Sequence, residues 1–406
     1  MHLGIQVPKS FKNSISDMSV IRIMELRGTY KGGGGPDKTI LLSAAKHNKR
    51  KFFVPVIYLR RHDDLEFRIG EMAAKLHIKY KEVIDRKLID VRCLCQLNRL
   101  TKTHNIEIVH THDDKSLLYA FLLKLLNSGL KVIHTCHLYP GNSSTVLAAH
   151  QARVVTWFRQ RVSLFLMKQC YQPILSVCRS TKQTLVAKGF KECEVEVIFN
   201  SIDYSYWRKD PVASTLHKEI QADEGTFIVG SVGRLSEAKD LPTFVRVVKK
   251  VIEKCPNTKF VVAGDGRANE LRELRDLCVR VGIESEVVLL GHRTDLINIY
   301  SAFDLFLMTS IAEGLPNTLL EAMSMEIPVV STAVDGVPEL VVNGETGYLC
   351  RVGDSEALAM RTVEIIQNPE LRRKFGSAAR DRIKRNFAFD KRLEKIEEFY
   401  QRIHLD

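Results

Sequence analysis

Several things are scarce in this sequence of 406 residues, and each scarcity closes off a class of protein. No run is long and apolar enough to span a bilayer. The best one, Ser116 to Leu126, is short and is interrupted by Lys124. Met1 to Ser19 has no continuous apolar core, so no signal peptide is expected there. The nine cysteines are odd in number, scattered, and never spaced Cys-x-x-Cys; Cys93 and Cys95 have one residue between them. That speaks against a disulfide framework or a cysteine-built zinc site and for reduced thiols in the cytoplasm. Acid is absent from Lys115 to Lys191, a stretch with eleven Lys and Arg. Residues 1–203 hold 32 basic and 17 acidic residues, a net charge of +15, while the remainder nets −3. A basic half suits phosphate: nucleic acid, anionic lipid or a phosphorylated acceptor. No nucleic-acid recognition motif accompanies it, and the acidic remainder argues against that partner.

What is present is the composition of a globular protein, 45% hydrophobic and 27% charged, long enough for two or three domains. The chain is organised around Asp304–Val330. An apolar strand (Leu305–Met308) ends at Thr309 and Ser310. A loop follows with Glu313, Gly314, Leu315 and Pro316, then a helix from about Asn317 and a strand from Ile327. In such a βαβ unit ligands lie at the carboxyl ends of the strands. The helix N-terminus, at Thr318 and Leu319, suits a diphosphate, and Gly314 allows close backbone approach. Carboxylates repel phosphate, so Glu313 and Glu321 are better placed to accept from sugar hydroxyls. Thr318-x-x-Glu321 also reads as a capping box serving its own helix, and both readings stay open.

Upstream, strand Val20–Leu26 leads into four glycines, Gly32 to Gly35, and a helix from Asp37 to Lys46. That is a ligand cradle, though its spacing is neither Gly-x-Gly-x-x-Gly nor a Walker loop. Phe52–Tyr58 reads as one strand. Ile106–His110 runs into Thr111-His112, and the strand from Val132 runs into His134-Thr135-Cys136-His137. Both histidine clusters sit at strand ends, with no zinc-type spacing, so no metal site is expected. Strands alternate with helices throughout, the signature of parallel sheets. After Asn200-Ser201-Ile202-Asp203 a polar linker spans 204–225. A second set of strands then ends in Gly233-Arg234, Gly264 and Gly291-His292-Arg293. Gly233 permits close backbone approach, Arg234 offers a planar fork for phosphate and Lys239 a point charge. Residues 357–405 read as helical, with a break near Asn386.

Glu-(seven residues)-Glu in EGLPNTLLEAM, Gly-Val-Pro-Glu at 336–339, Gly-Arg-Leu-x-x-x-Lys at 233–239, and the Val-His-Thr-His and Ile-His-Thr-x-His strand ends resemble the retaining glycosyltransferases of family 4. The resemblance implies a GT-B fold: α/β, two Rossmann-like doubly wound domains facing across a cleft. The expected domains are an acceptor-side one over 1–203 and a nucleotide-sugar domain over 226–385, with a last helix, 386–406, of the kind that returns to the first domain. It implies transfer of a hexosyl unit from a nucleotide diphosphate sugar, as substrate rather than fixed cofactor, to a glycan or lipid-linked acceptor, as in polysaccharide biosynthesis. His137 and Glu313 would lie at the transferred sugar, His112 at the acceptor cleft, Arg234 and Lys239 at the diphosphate and Glu321 at the ribose. Gly33, Gly34, Gly264, Arg293 and Gly314 would line the donor site. Ser201 departs from the family's Asn-Gly-Val-Asp turn. With no nucleophile evident, a front-face, metal-free reaction is expected; a sugar-nucleotide epimerase of the same fold is the alternative.

Gln151–Cys170 reads as a helix. Val154, Val155, Phe158, Val162, Phe165 and Leu166 share a face expected to pack inward. Arg153, Trp157, Arg161, Leu164 and Lys168 share another, which is either a plain surface or one lying on an anionic membrane.

Overall fold

The computed structural model describes residues 20–138, 150–169, 173–209, 214–266 and 268–406, through the backbone alone at 150–158 and 268–269. Two parallel sheets organise it. The first holds β1 (Ile21–Gly28), β2 (Phe52–Phe53), β3 (Val56–Arg61), β4 (Tyr80–Asp85), β5 (Ile108–Thr111), β6 (Lys131–Cys136), β7 (Ile174–Ser176) and β8 (Val195–Val197). Its order is β4-β3-β1-β5-β6-β7-β8, with β2 on β1. The second holds β9 (Phe227–Val232), β10 (Thr258–Ala263), β11 (Val287–Gly291), β12 (Leu305–Met308), β13 (Val329–Thr332) and β14 (Gly347–Cys350), ordered β11-β10-β9-β12-β13-β14. Where Phe52–Tyr58 promised one strand there are two, because Pro55 cannot donate to a ladder and interrupts the pairing.

Strands buried on both faces need apolar residues at every position, and Leu305, Phe306, Leu307 and Met308 are all buried. Each sheet reverses its strand order once, between β1 and β5 in the first and between β9 and β12 in the second. These are the points at which doubly wound sheets open a crevice for ligands. The loops after β5 and β6 carry His112 and His137; those after β9 and β12 carry Arg234, Lys239 and Glu313.

The chain crosses between the sheets twice. Ile202 N–H donates to Phe387 O (3.0 Å) and Phe389 N–H to Ile202 O (3.1 Å), so the crossings lie against each other. The last helix, Phe389–Leu405, then packs Ile396, Phe399, Tyr400 and Ile403 against Ile21, Ile23, Ile108 and Ile133 beneath the first sheet. Residues assigned to a polar linker are partly structural: Leu216 is buried, and Tyr204 and Trp207 pack on the second core.

The helix His150–Gln169 forms, and of the face expected to pack inward Leu166 does so while Val162 and Phe165 do not. Leu166 and Met167 are buried and Leu164 packs on the core, while Val162 and Phe165 are 37% and 56% exposed. Ser163 also turns inward, its hydroxyl donating to Asp114 (2.8 Å). The side chains of Arg153, Val154, Val155, Trp157 and Phe158 lie outside the described residues. Among the described residues no helix is long and apolar enough to cross a membrane.

Candidate active site

On the second domain, Gly233 ends β9 with φ +148° and Gly264 ends β10 with φ +146°. A Cβ on Gly264 would collide with the Gly233 carbonyl, so these two loops nest only as glycines. Lys239 closes a single turn of 3-10 helix. Its Nζ donates to Glu313 Oε1 (2.7 Å), which also accepts from Ser310 Oγ (2.7 Å). The Glu313 N–H donates to Asp335 (2.8 Å), and Thr309 Oγ1 ties the β12 end to the Lys239 carbonyl (2.8 Å). The ion pair is thus fixed from both loops. Arg234, in the same loop, is exposed.

The motif helix runs Asn317–Ser324 with Pro316 at its N-cap. Thr318 therefore sits inside the first turn, and the capping-box reading is corrected. Glu321 is 2% exposed and does not cap its helix. It accepts from Tyr300 OH (2.9 Å) and, across the cleft, from Lys38 Nζ (2.6 Å). The N–H groups of Asn317 and Thr318 precede any possible intrahelical partner, as at every helix start. Asn317 Nδ2 donates to Gly35 O in the first domain (2.8 Å).

Arg293, in the loop after β11, is tied to two acids. Its guanidinium pairs with Glu219 and with Asp295 (2.6 Å). Its neighbour His292 is the residue of this loop that senses the first domain. Burial and the charge of Arg68, with Lys31 and Lys38, push its pKa down against the pull of Asp265.

On the first domain, Gly32 and Gly33 have φ +77° and +85°. Gly34 begins the helix Gly35–Lys46 and donates to Asp37 (2.9 Å), which is buried and held by Arg27 (2.6 Å) and Tyr58 (2.8 Å). A Cβ on Gly35 would lie 3.0 Å from the Asn317 side chain, so the helix start packs tightly on the other domain here. A Cβ on Gly314 would collide with the His137 carbonyl oxygen, so the Glu313-Gly314 loop is seated directly on His137.

Behind His137 stands a buried polar group. His137 Nε2 is 3.1 Å from His112 Nδ1, and His112 Nε2 is 2.5 Å from Glu25 Oε2. Burial and the neighbouring His110 drive the His112 pKa down to about 3, and burial likewise holds His137 well below the usual imidazole range. Glu25, His110 and His112 place three potential metal donors within 4.8 Å of one another. Ligand atoms around a zinc ion stand over 3 Å apart when each is about 2 Å from it. The His112–Glu25 separation of 2.5 Å is that of a hydrogen bond.

Two family models match consecutive stretches of the chain: "Glycosyltransferase Family 4" over residues 33–206 and "Glycosyl transferases group 1" over 212–382. The chain belongs to the family 4 glycosyltransferases. Its fold is GT-B and it is a glycosyltransferase enzyme. N-acetyl-alpha-D-glucosaminyl L-malate synthase of Bacillus anthracis is 26% identical over 84% of this chain and 87% of that protein. UDP-Gal:alpha-D-GlcNAc-diphosphoundecaprenol alpha-1,3-galactosyltransferase of Escherichia coli is 26% identical over 77% and 79%. Anabaena HepE, solved with UDP and glucose, superposes with a TM-score of 0.81 at 20% identity, over 93% of this chain and 98% of that one.

Sequence reasoning alone missed Lys38, Tyr300, Glu25 and Tyr400 of this glycosyltransferase. Glu25 had a usable signal: an acid in the middle of the apolar strand VIRIMEL is either exposed or partnered in the core.

Proposed function

We propose that this glycosyltransferase moves a hexosyl unit from a nucleoside diphosphate sugar to a glycan or lipid-linked acceptor. We propose further that the reaction retains configuration, needs no metal, and takes place at the cytoplasmic face of an anionic membrane. The observation that carries the reading is the fixed Lys239–Glu313 pair in loops seated on His137, across the mouth of the cleft. The costly event is departure of a diphosphate from the anomeric carbon. Arg234, Lys239 and the N-terminus of the Asn317–Ser324 helix supply positive charge where that negative charge develops. On the front face the acceptor oxygen bonds to the anomeric carbon as the carbon–phosphate-oxygen bond breaks. The acceptor's proton passes to the leaving phosphate oxygen. Glu313 accepts from the sugar and Glu321 from the ribose, while cleft closure excludes water. The UDP and glucose held by Anabaena HepE, and the UDP-galactose in the E. coli relative's name, favour a uridine nucleotide.

For the acceptor, a cavity of about 520 Å³ opens at the carboxyl ends of β1, β3 and β4, lined by Arg61, His62, Arg86, Lys87 and Lys115. Asp85, paired with Lys115 at 2.8 Å, is the acid in its wall. Such a lining suits an acceptor that carries an anionic group, and the E. coli relative's diphosphoundecaprenol substrate is one of that kind. Exposed Val162 and Phe165, with the basic Arg161 and Lys168 on the same helix, suit a membrane surface beside it.

A thermal-shift panel of UDP-, GDP- and ADP-sugars tests the donor reading, since a ligand of the native state raises the melting temperature. A rise with one nucleotide class is expected; no rise with any would overturn it. Transfer in excess EDTA, with the product's anomeric configuration read by NMR, tests metal independence and retention.

A further inference from the structure

The polar groups behind His137 form one hydrogen-bonded chain that ends in the last helix. Glu25 Oε2 meets His112 Nε2 (2.5 Å), and Glu25 Oε1 accepts from Tyr400 OH (2.8 Å). His110 Nδ1 is 2.7 Å from Tyr400 OH, and its Nε2 is 2.7 Å from Thr135 Oγ1. His112 Nδ1 meets His137 Nε2 at 3.1 Å. His137 Nδ1 is buried and has no partner.

The direction of every bond follows from the donor inventory. An ionised carboxylate only accepts, so Tyr400 and His112 Nε2 both donate to Glu25. Burial works against the Glu25 charge, but the imidazoles of His110 and His112 hold its pKa well below the usual range. A neutral His112 has spent its proton at Nε2, so its Nδ1 accepts, and His137 must donate from Nε2. His137 Nδ1 is then a bare lone pair. On the other branch the Tyr400 oxygen accepts from His110 Nδ1, and His110 Nε2 accepts from Thr135. Each proton is used once.

We infer that Glu25, anchored by Tyr400 of the last helix, sets the tautomer of His137 through His112. His137 therefore offers Nδ1 as a hydrogen-bond acceptor for a sugar hydroxyl and not as a donor to a phosphate oxygen. Glu25, His112 and Tyr400 are positioning residues. The hydroxyl assignment rests on the proposed sugar transfer; the tautomer assignment does not.

Glu25→Gln gives a sharp test, because an amide can run the chain backwards. Its oxygen still accepts from Tyr400, while its NH₂ donates to His112 Nε2. The His112 proton then moves to Nδ1, and the His137 proton is displaced from Nε2 to Nδ1. Long-range ¹H–¹⁵N correlation on the histidine-labelled full chain at neutral pH, without substrate, reads this directly. The wild type should carry the His137 proton on Nε2, and Glu25→Gln on Nδ1. A wild-type proton on Nδ1 overturns the inference, as does a variant with the wild-type tautomer. The wild-type spectrum needs no variant, so it decides the first half even if Glu25→Gln fails to fold. Adding UDP-glucose should shift His137 Nδ1 and adding UDP alone should not. A shift with UDP alone assigns the lone pair's surroundings to the diphosphate and overturns the hydroxyl assignment. If neither ligand binds, the uridine reading of the donor fails while the tautomer result stands.

Discussion

Lys38 in the first domain donates to the buried Glu321 carboxylate in the second at 2.6 Å. The two residues are 283 positions apart, and the carboxylate they share is the one proposed for the donor ribose. The cleft is thus bridged by the carboxylate proposed to engage the nucleotide. Lys38→Met should lower the melting temperature of the unliganded protein by about 2 °C, the shift expected for roughly 1 kcal/mol in a chain larger than 150 residues. With saturating UDP the difference should shrink, because ribose hydroxyls take over the vacated oxygen. An equal deficit with and without UDP would remove the latch from the argument.

Arg234→Ala and Lys239→Ala should each cost about 10²–10³ in turnover, the usual loss for one preorganised electrostatic donor. Arg234 is exposed and Lys239 pairs at the cleft with Glu313, so circular dichroism should remain that of the wild type. Wild-type turnover in the double variant at saturating donor would sink the leaving-group assignment.

Glu313→Gln should impair transfer far more than binding of bare UDP, whereas Glu321→Gln should weaken UDP itself. Calorimetry with UDP beside a transfer assay separates the two. The reverse pattern would exchange the sugar and ribose roles.

Gly314→Ala puts a methyl group into the His137 carbonyl. Backbone meets backbone there, so no side chain can yield, and the loop must lift. UDP binding should survive while transfer falls, and small-angle scattering should report a wider cleft. Wild-type transfer by this variant would mean that the seated loop is not the reactive arrangement.

Acid should destabilise the fold early. Burial holds His112 at a pKa of about 3 and His134 at about 4, against 6.5 for a free imidazole. The unfolded chain therefore binds protons that the folded one refuses, so stability is full above about pH 6.5 and falls as pH drops towards 4. Glu25, depressed below its ordinary 4.5, adds to the loss lower still. Melting temperatures between pH 8 and 4 check this; a flat profile from 6.5 to 4.5 would contradict it.

The parts of this site that sequence made legible are those whose chemistry is local. The strand–loop–helix around Glu313 and the glycine ending β9 follow from hydrophobic period and turn residues. The unreadable parts are pairings across the chain. Nothing near Glu25 points to Tyr400, 375 residues on, and nothing near Lys38 points to Glu321. Thr318-x-x-Glu321 had capping-box spacing, but Pro316 starts the helix two residues earlier than that box requires. Nothing near Arg293 points to its partner Glu219, which comes from the supposed linker 74 positions earlier. In the helix at 150–169 the apolar count put Val162 and Phe165 inside, where the structure instead buries Ser163, bonded to Asp114, and Met167.

The two crossings joined at Ile202 and Ala388 bear on how this enzyme is built to move. Everything from β9 to β14 hangs between them, and both chain segments on the far side belong to the first sheet's packing. The nucleotide half is therefore an insert carried on two touching stems. Stems that touch make one narrow connection, the geometry of a hinge rather than of a slide. The last helix is fixed on the frame side, and its Tyr400 joins the Glu25–His112–His137 chain there without a residue from the insert.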